Sequence, residues 1–154
     1  MSRRAGFTLI EIMIVVVIFG IMVMVAYPKV SSSLVKNDVR SSRTALANMF
    51  SKARAVAMQR SRIARVEFNA NNVVVTASPR VVTLAGSDRD TIGGVANLHT
   101  VYGITLTSSG SLTPVVYDPR GFVTPALSQP LKFYLTRSGK QDSVTIDYLG
   151  RVTK

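Results

Sequence analysis

Residues 6 to 27 read GFTLIEIMIVVVIFGIMVMVAY, and 18 of the 21 residues from Phe7 to Tyr27 are apolar. From Ile12 to Ala26 no side chain is charged or forms hydrogen bonds. As an α-helix this stretch covers about 30 Å, the hydrocarbon thickness of a bilayer. It is long enough to span. Arg3 and Arg4 precede it with no acidic residue beside them, so the positive-inside bias puts the N-terminus in the cytoplasm and the body on the far side. A secretory signal peptide has a shorter apolar region and ends in a small-x-small pattern. Here the exit is Met24-Val25-Ala26-Tyr27-Pro28, with a bulky Met24 in the way.

Glu11 interrupts the span one turn in. On insertion scales an ionisable group near mid-bilayer costs about 2.5 to 3.5 kcal/mol, and such a group marks function and calls for a partner. No basic residue lies between Phe7 and Pro28. Glu11 therefore takes a partner from outside the span, unless it stays protonated or reaches the headgroups.

Gly6-Phe7-Thr8-Leu9-Ile10-Glu11, after a short basic leader and before an unbroken apolar run, resembles the prepilin processing motif of type IV pilins and type II secretion pseudopilins. The resemblance implies that a membrane prepilin peptidase cuts between Gly6 and Phe7 and that the new amine of Phe7 is methylated. The leader would be lost, leaving 148 residues with 17 basic and 8 acidic. It also implies a partner for Glu11, the N-terminal amine of a neighbouring subunit in a filament. That is the pairing a desolvated carboxylate demands.

The body after Pro28 begins as an amphipathic helix expected over about 29–59, with Val35, Val39, Leu46, Met49, Phe50, Ala53, Val56 and Ala57 on one face. Pro28 is expected to kink or interrupt it. Lys29, Lys36, Arg40, Arg43 and Arg54 fall on one flank. From Ile63 the period becomes two. Residues 63–68 and 73–77 read as a hairpin about Asn69-Ala70-Asn71-Asn72, and further strands are expected at 80–84, 102–107, 113–117, 131–136 and 143–148. A turn at 137–140 joins the last two, residues 86–98 read as a mobile loop, and no internal repeat stands out. The fold class is α+β, a long N-terminal helix laid on antiparallel sheet, with a leader at 1–6, a transmembrane helix at 7–28 and a globular domain at 29–154 whose β-rich part is 63–154. Ala47, Phe50, Ala53, Arg54, Ala57 and Arg60, with Tyr117-Asp118-Pro119-Arg120-Gly121, resemble the H-type minor pseudopilins and their FimT-like pilus relatives.

Composition narrows the chemistry. With no Cys and one His among 154 residues, a disulfide scaffold, thiolate zinc, an iron-sulfur cluster, a cysteine nucleophile and a histidine-rich metal site all drop out. His99 has no recognisable catalytic context, so no enzyme, cofactor or metal is expected. Asp88-Arg89-Asp90 lacks the spacing of a calcium loop and reads as solvated. The net charge of +11 suggests an anionic partner or serves only to keep a tethered protein soluble. DNA enters as a candidate partner through Gly150-Arg151-Val152-Thr153-Lys154, which resembles the Gly-Arg-x-Arg tail with which some FimT-like minor pilins hold DNA. Thr153 stands where the second arginine belongs, and Lys154 cannot supply a bidentate fork. Arg151 and Lys154 are the candidate DNA contacts, with Phe133, Tyr134 and Tyr148 available for stacking on bases.

The expectation is a minor pilin or pseudopilin in the bacterial inner membrane, its C-terminal domain periplasmic. Its place is the tip or initiation complex of a type II secretion pseudopilus or type IV pilus, and its partners are the prepilin peptidase, other pilins and the bilayer. A DNA-binding minor pilin for uptake in natural transformation is the alternative. Intact mass of membrane-extracted protein should show a chain that begins at Phe7 and carries one methyl group. A full-length product in cells with an active prepilin peptidase would refute the assignment.

Overall fold

The computed structural model describes residues 7–78, 89–110, 112–125 and 127–153. One helix, α1 (Leu9–Arg60), runs through Pro28. The expected interruption does not occur: proline removes one N–H and crowds the carbonyl four residues back, a local defect that the bonded turns on either side carry across. The chain divides between Val35 and Lys36 into two compact units, and α1 contributes to both. In the first unit every described residue through Ser31 is exposed, apolar ones included.

In the second unit the buried face of α1 consists of Val39, Ser42, Leu46, Ala47, Phe50, Ala53, Val56 and Ala57, the three- and four-residue recurrence of an amphipathic helix. Two antiparallel sheets complete it. In the first, β1 (Ala64–Asn69) and β2 (Asn72–Ala77) form a hairpin in register from Ala64↔Ala77 to Asn69↔Asn72. Short strands β3 (Asp90–Thr91) and β4 (Ala96–Asn97) pair with the outer edge of β2. A five-residue helix α2 (Leu98–Tyr102) follows, capped by the Asn97 side chain. In the second sheet, β5 (Thr105–Ser108), β7 (Leu131–Arg137), β8 (Lys140–Ile146) and β9 (Val152–Thr153) lie in that order, while β6 (Val115–Tyr117) pairs with β1 in the first. The β7–β8 turn takes left-handed backbone at both Ser138 (φ 46°) and Gly139 (φ 74°), which matches a two-residue hairpin loop to strand twist.

Phe50 on α1 packs against Phe68 of β1 and Phe133 of β7, with ring centroids 6.1 and 5.0 Å away, and the two strand rings stack at 5.1 Å. The helix thus meets both sheets at one point. Buried alanines at 47, 53, 57, 64 and 77 let backbones approach closely around it.

Several expectations change. Of residues 86–98, read as a loop, 86–88 lie outside the described residues and the rest carry β3, β4 and the start of α2, because Leu98 is fully buried and the pairing partners are long-range. Tyr102 ends a helix rather than opening a strand, and the last long strand is 140–146 rather than 143–148, with Tyr148 in the turn that follows. The strand expected at 80–84 lies outside the described residues. Replacing Phe50 with Ala should cost about 3 to 5 kcal/mol, read as a lower urea midpoint of the detergent-solubilised chain. A loss under about 1 kcal/mol would mean the aromatic contact is not the junction it is taken to be.

Candidate functional site

Two regions carry chemistry, one at each end of the described chain. At the N-terminal end, Phe7 is exposed and Thr8 precedes the first turn of α1. The Thr8 hydroxyl oxygen accepts the Glu11 N–H at 3.3 Å. Thr8-x-x-Glu11 is a capping-box spacing that the sequence reading overlooked, and it gives Glu11 a local role at a helix N-terminus that favours negative charge. Glu11 has no ion pair with any described residue. Gly6 lies outside the described residues.

The second region is a pair of loops with one construction. In Asp118-Pro119-Arg120-Gly121-Phe122 the Asp118 carboxylate accepts the backbone N–H groups of Arg120 and Phe122, both at 2.9 Å, and the Arg120 Nε–H at 3.1 Å. In Asp147-Tyr148-Leu149-Gly150-Arg151 the Asp147 carboxylate accepts Leu149 N–H at 3.0 Å, Arg151 N–H at 2.7 Å and Arg151 Nε–H at 2.9 Å. Each glycine returns its N–H to the carbonyl of its aspartate, and each takes a left-handed φ, 86° at Gly121 and 74° at Gly150, where a Cβ would be strained. The Asp-x-x-Gly spacing also occurs at Asp90-Thr91-Ile92-Gly93, and the two loops share no other side chain in register, so the sequence alone does not single them out.

The loops touch. A Cβ on Gly150 would stand 2.9 Å from the Tyr117 ring and 3.2 Å from the Gly121 carbonyl, while one on Gly121 would strike Met58 of α1. Arg54 of α1 donates to the Gly121 carbonyl at 3.0 Å. The Tyr117 hydroxyl is buried without a hydrogen-bond partner among the described residues. Burial pushes its pKa up, the Arg54 cation opposes this and Asp147 adds to it. The carboxyl of Asp118 is held below the usual range, chiefly by the Phe122 N–H. At Asp147 desolvation works the other way but is outweighed by the bonds from Arg151 and Leu149. Beside Tyr148 an open groove of about 700 Å³ runs between residues 109–110 and 127–132.

The proposed DNA residues separate. Arg151 is exposed but tied to Asp147, and Lys154 lies outside the described residues. Phe133 is buried in the aromatic junction and cannot stack on a base. Tyr134 is half-buried on β7, and Tyr148 is exposed on its loop. Of the helix stripe, Arg43 pairs with Asp142 at 3.1 Å and Arg54 serves the loop, leaving Lys29, Lys36 and Arg40 exposed. His99 is exposed on α2, and Asp90 stands 3.5 Å from Arg62.

Residues 1–27 match the family described as the prokaryotic N-terminal methylation motif. The fold is similar to two crystal forms of the type IV minor pilin FimU from Pseudomonas aeruginosa PAO1. The form in space group P21 matches with TM-score 0.60 at 16% identity, covering 77% of this chain and 88% of that one. The P65 form matches with TM-score 0.56 at 16% identity, covering 74% and 90%. No curated protein matches the sequence. The class is therefore a pilin-like α+β protein with a prepilin-type N-terminal motif and a membrane-anchoring apolar helix. Within that class, its fold is like that of a minor pilin.

Because both loop carboxyls titrate below their ordinary value of 3.8 in the folded chain, they add stability above that value, and the stability is lost as pH falls through the lower folded pKa. Asp118→Asn with Asp147→Asn should lower the melting temperature at pH 7 and shrink the further drop seen on acidification below about pH 4. An unchanged acid profile would show that the two loops do not depend on ionised aspartates.

Proposed function

We propose that this protein is a minor pilin, a structural subunit that is cut at Gly6–Phe7, methylated at Phe7 and assembled into a type IV pilus through its N-terminal helix. The observation that carries the reading is the coincidence in one chain of the methylation motif over residues 1–27 with a minor-pilin-like fold over most of the rest. The chain is anchored in the inner membrane with its N-terminus cytoplasmic and its body periplasmic. Arg3 and Arg4 set that orientation. A place at the tip or initiation complex accords with its likeness to a minor pilin, while a type II secretion pseudopilus uses the same processing motif.

Glu11 is the assembly residue of this reading. Among the described residues of its own chain it pairs with no cation, and burial of an unpaired carboxylate among packed apolar helices is costly. The methylated amine of a neighbouring subunit at Phe7 meets that need. DNA capture, the second reading, is favoured by the exposure of Arg151 beside exposed Tyr148. The Asp147 carboxylate at 2.9 Å from Arg151 opposes it by placing a negative charge where a phosphate would sit.

Glu11→Ala should leave cleavage, methylation and membrane insertion intact, since the costly group is gone. Its share in pili sheared from the cell surface should fall at least tenfold against the unaltered chain. Normal incorporation would remove the pairing role, and a chain absent from both pili and pseudopili would overturn the subunit reading.

A further inference from the structure

In a chain without cysteine the thioethers are the sulfur groups open to oxidation. Met13, Met22 and Met24 lie in the apolar span, and Met49 is half-buried against the core. Met58, in the last turn of α1, is 45% exposed. It is the one exposed methionine of the second unit, and its sulfur has a structural task. Gly121 holds a left-handed backbone, and a Cβ there would stand 2.8 Å from Met58 Sδ, 3.1 Å from its Cγ and 3.2 Å from Arg54 Nε. The thioether therefore fills the space that a side chain at Gly121 would need. Arg54 lies one turn earlier on α1, on the same face, and donates its Nε–H to the Gly121 carbonyl at 3.0 Å. Sulfur and guanidinium converge on one residue, and together they join α1 to the Asp118 loop.

A hydroperoxide in the surrounding water converts such a sulfur in one balanced step. With hydrogen peroxide, a sulfur lone pair attacks one oxygen, the S–O bond forms as the O–O bond breaks, and the transferred oxygen gives its proton to the departing hydroxide, which leaves as water. Sulfur loses two electrons and the peroxide gains them. Negative charge develops on the departing oxygen, and a cation beside the sulfur favours it. The product is a polar sulfoxide, where a flexible apolar group had been. Its oxygen has no room on the Gly121 side, and the Arg54 guanidinium is the donor next to it. Once that donor turns to the sulfoxide, Gly121 loses its apolar seat and its hydrogen bond together. The Gly121 carbonyl also lies against Gly150, so the disturbance reaches the Asp147 loop.

We propose that Met58 is a reversible oxidation site for hydroperoxides, and that its sulfoxide releases the Asp118 loop from α1 by taking over the Arg54 guanidinium. The site lies wholly within the second unit and does not depend on the subunit reading.

The test treats the full-length chain in detergent with hydrogen peroxide. Peptide masses should show one added oxygen at Met58 at least tenfold sooner than at Met49. Hydrogen exchange of the 118–122 amides should then quicken at least tenfold while the β1–β2 hairpin keeps its protection. A methionine sulfoxide reductase should restore both the mass and the protection. Met58→Leu keeps the shape without the oxidisable sulfur, so its loop should stay protected before and after peroxide. Arg54→Gln should exchange fast at 118–122 from the start and gain little more on oxidation. Earlier oxidation of Met49, unchanged exchange once Met58 is oxidised, or an equal rise in peroxide-treated Met58→Leu would each overturn the proposal. So would a full further tenfold in Arg54→Gln, which would take Arg54 out of the release, or loss of protection in the hairpin, which would make the effect global unfolding.

Discussion

A single backbone has to satisfy two solvents, and the helix is the structure that can. In hydrocarbon every N–H and C=O must be bonded within its own segment, which leaves an isolated span no alternative to a helix. In the aqueous body the same helix needs only one buried face, and the sequence changes accordingly. Through Ser31 every described position is exposed and the side chains are apolar almost all round; from Val39 onward burial falls at three- and four-residue intervals. Pro28 lies just past the end of the apolar run, and α1 continues through it. Continuity of α1 makes the anchor and the body parts of one element.

Within the body, what holds the helix is not spread evenly along it. Phe50 joins Phe68 and Phe133, so one side chain bridges both sheets. Near the start of the unit, Asp38 pairs with Arg137 and Arg43 with Asp142, tying α1 to the β7–β8 hairpin. Asp142 also accepts the Ser143 N–H at 2.8 Å. Since β9 covers only Thr145 and Ile146 of that strand, this occupies a donor on an edge that would otherwise be open to another strand. Near the far end, Arg54 and Met58 seat the Asp118 loop.

What could be read beforehand follows from how local each signal is. The span, the amphipathic helix to about residue 59, the 64–77 hairpin and the 137–140 turn are written in periodicity and turn chemistry within a few residues. Strands β3 and β4 are two residues each and exist only because β2 offers an edge; no window of sequence contains that information. Tyr102 looked like a strand residue because it is aromatic and followed by alternation, but Asn97 and Gly103 cap a turn of helix around it. At the site, Phe133 could not be distinguished from Tyr134 by composition, since only the register of β7 decides which ring enters the core. The Thr8-x-x-Glu11 spacing was present in the sequence and was overshadowed by the cost of a carboxylate in lipid.

Charge is a single total in the sequence and a distribution in the structure. The net +11 already subtracts the acids; the six ion pairs among the described residues show which arginines those acids neutralise locally. Exposed pairs of this kind stabilise little, in general under about 1 kcal/mol. Their larger effect is on what is left over. With those acids engaged, the cations without an ion pair among the described residues are Lys29, Lys36, Arg40, Lys52, Arg54 and Arg60 on α1, Arg65 on β1, Lys132 on β7 and Lys140 at the start of β8. The arginines of the twin loops show a second use of charge: locked to Asp118 and Asp147, whose carboxylates also hold backbone N–H groups, they fix the two turns that carry Phe122, Tyr148 and Leu149.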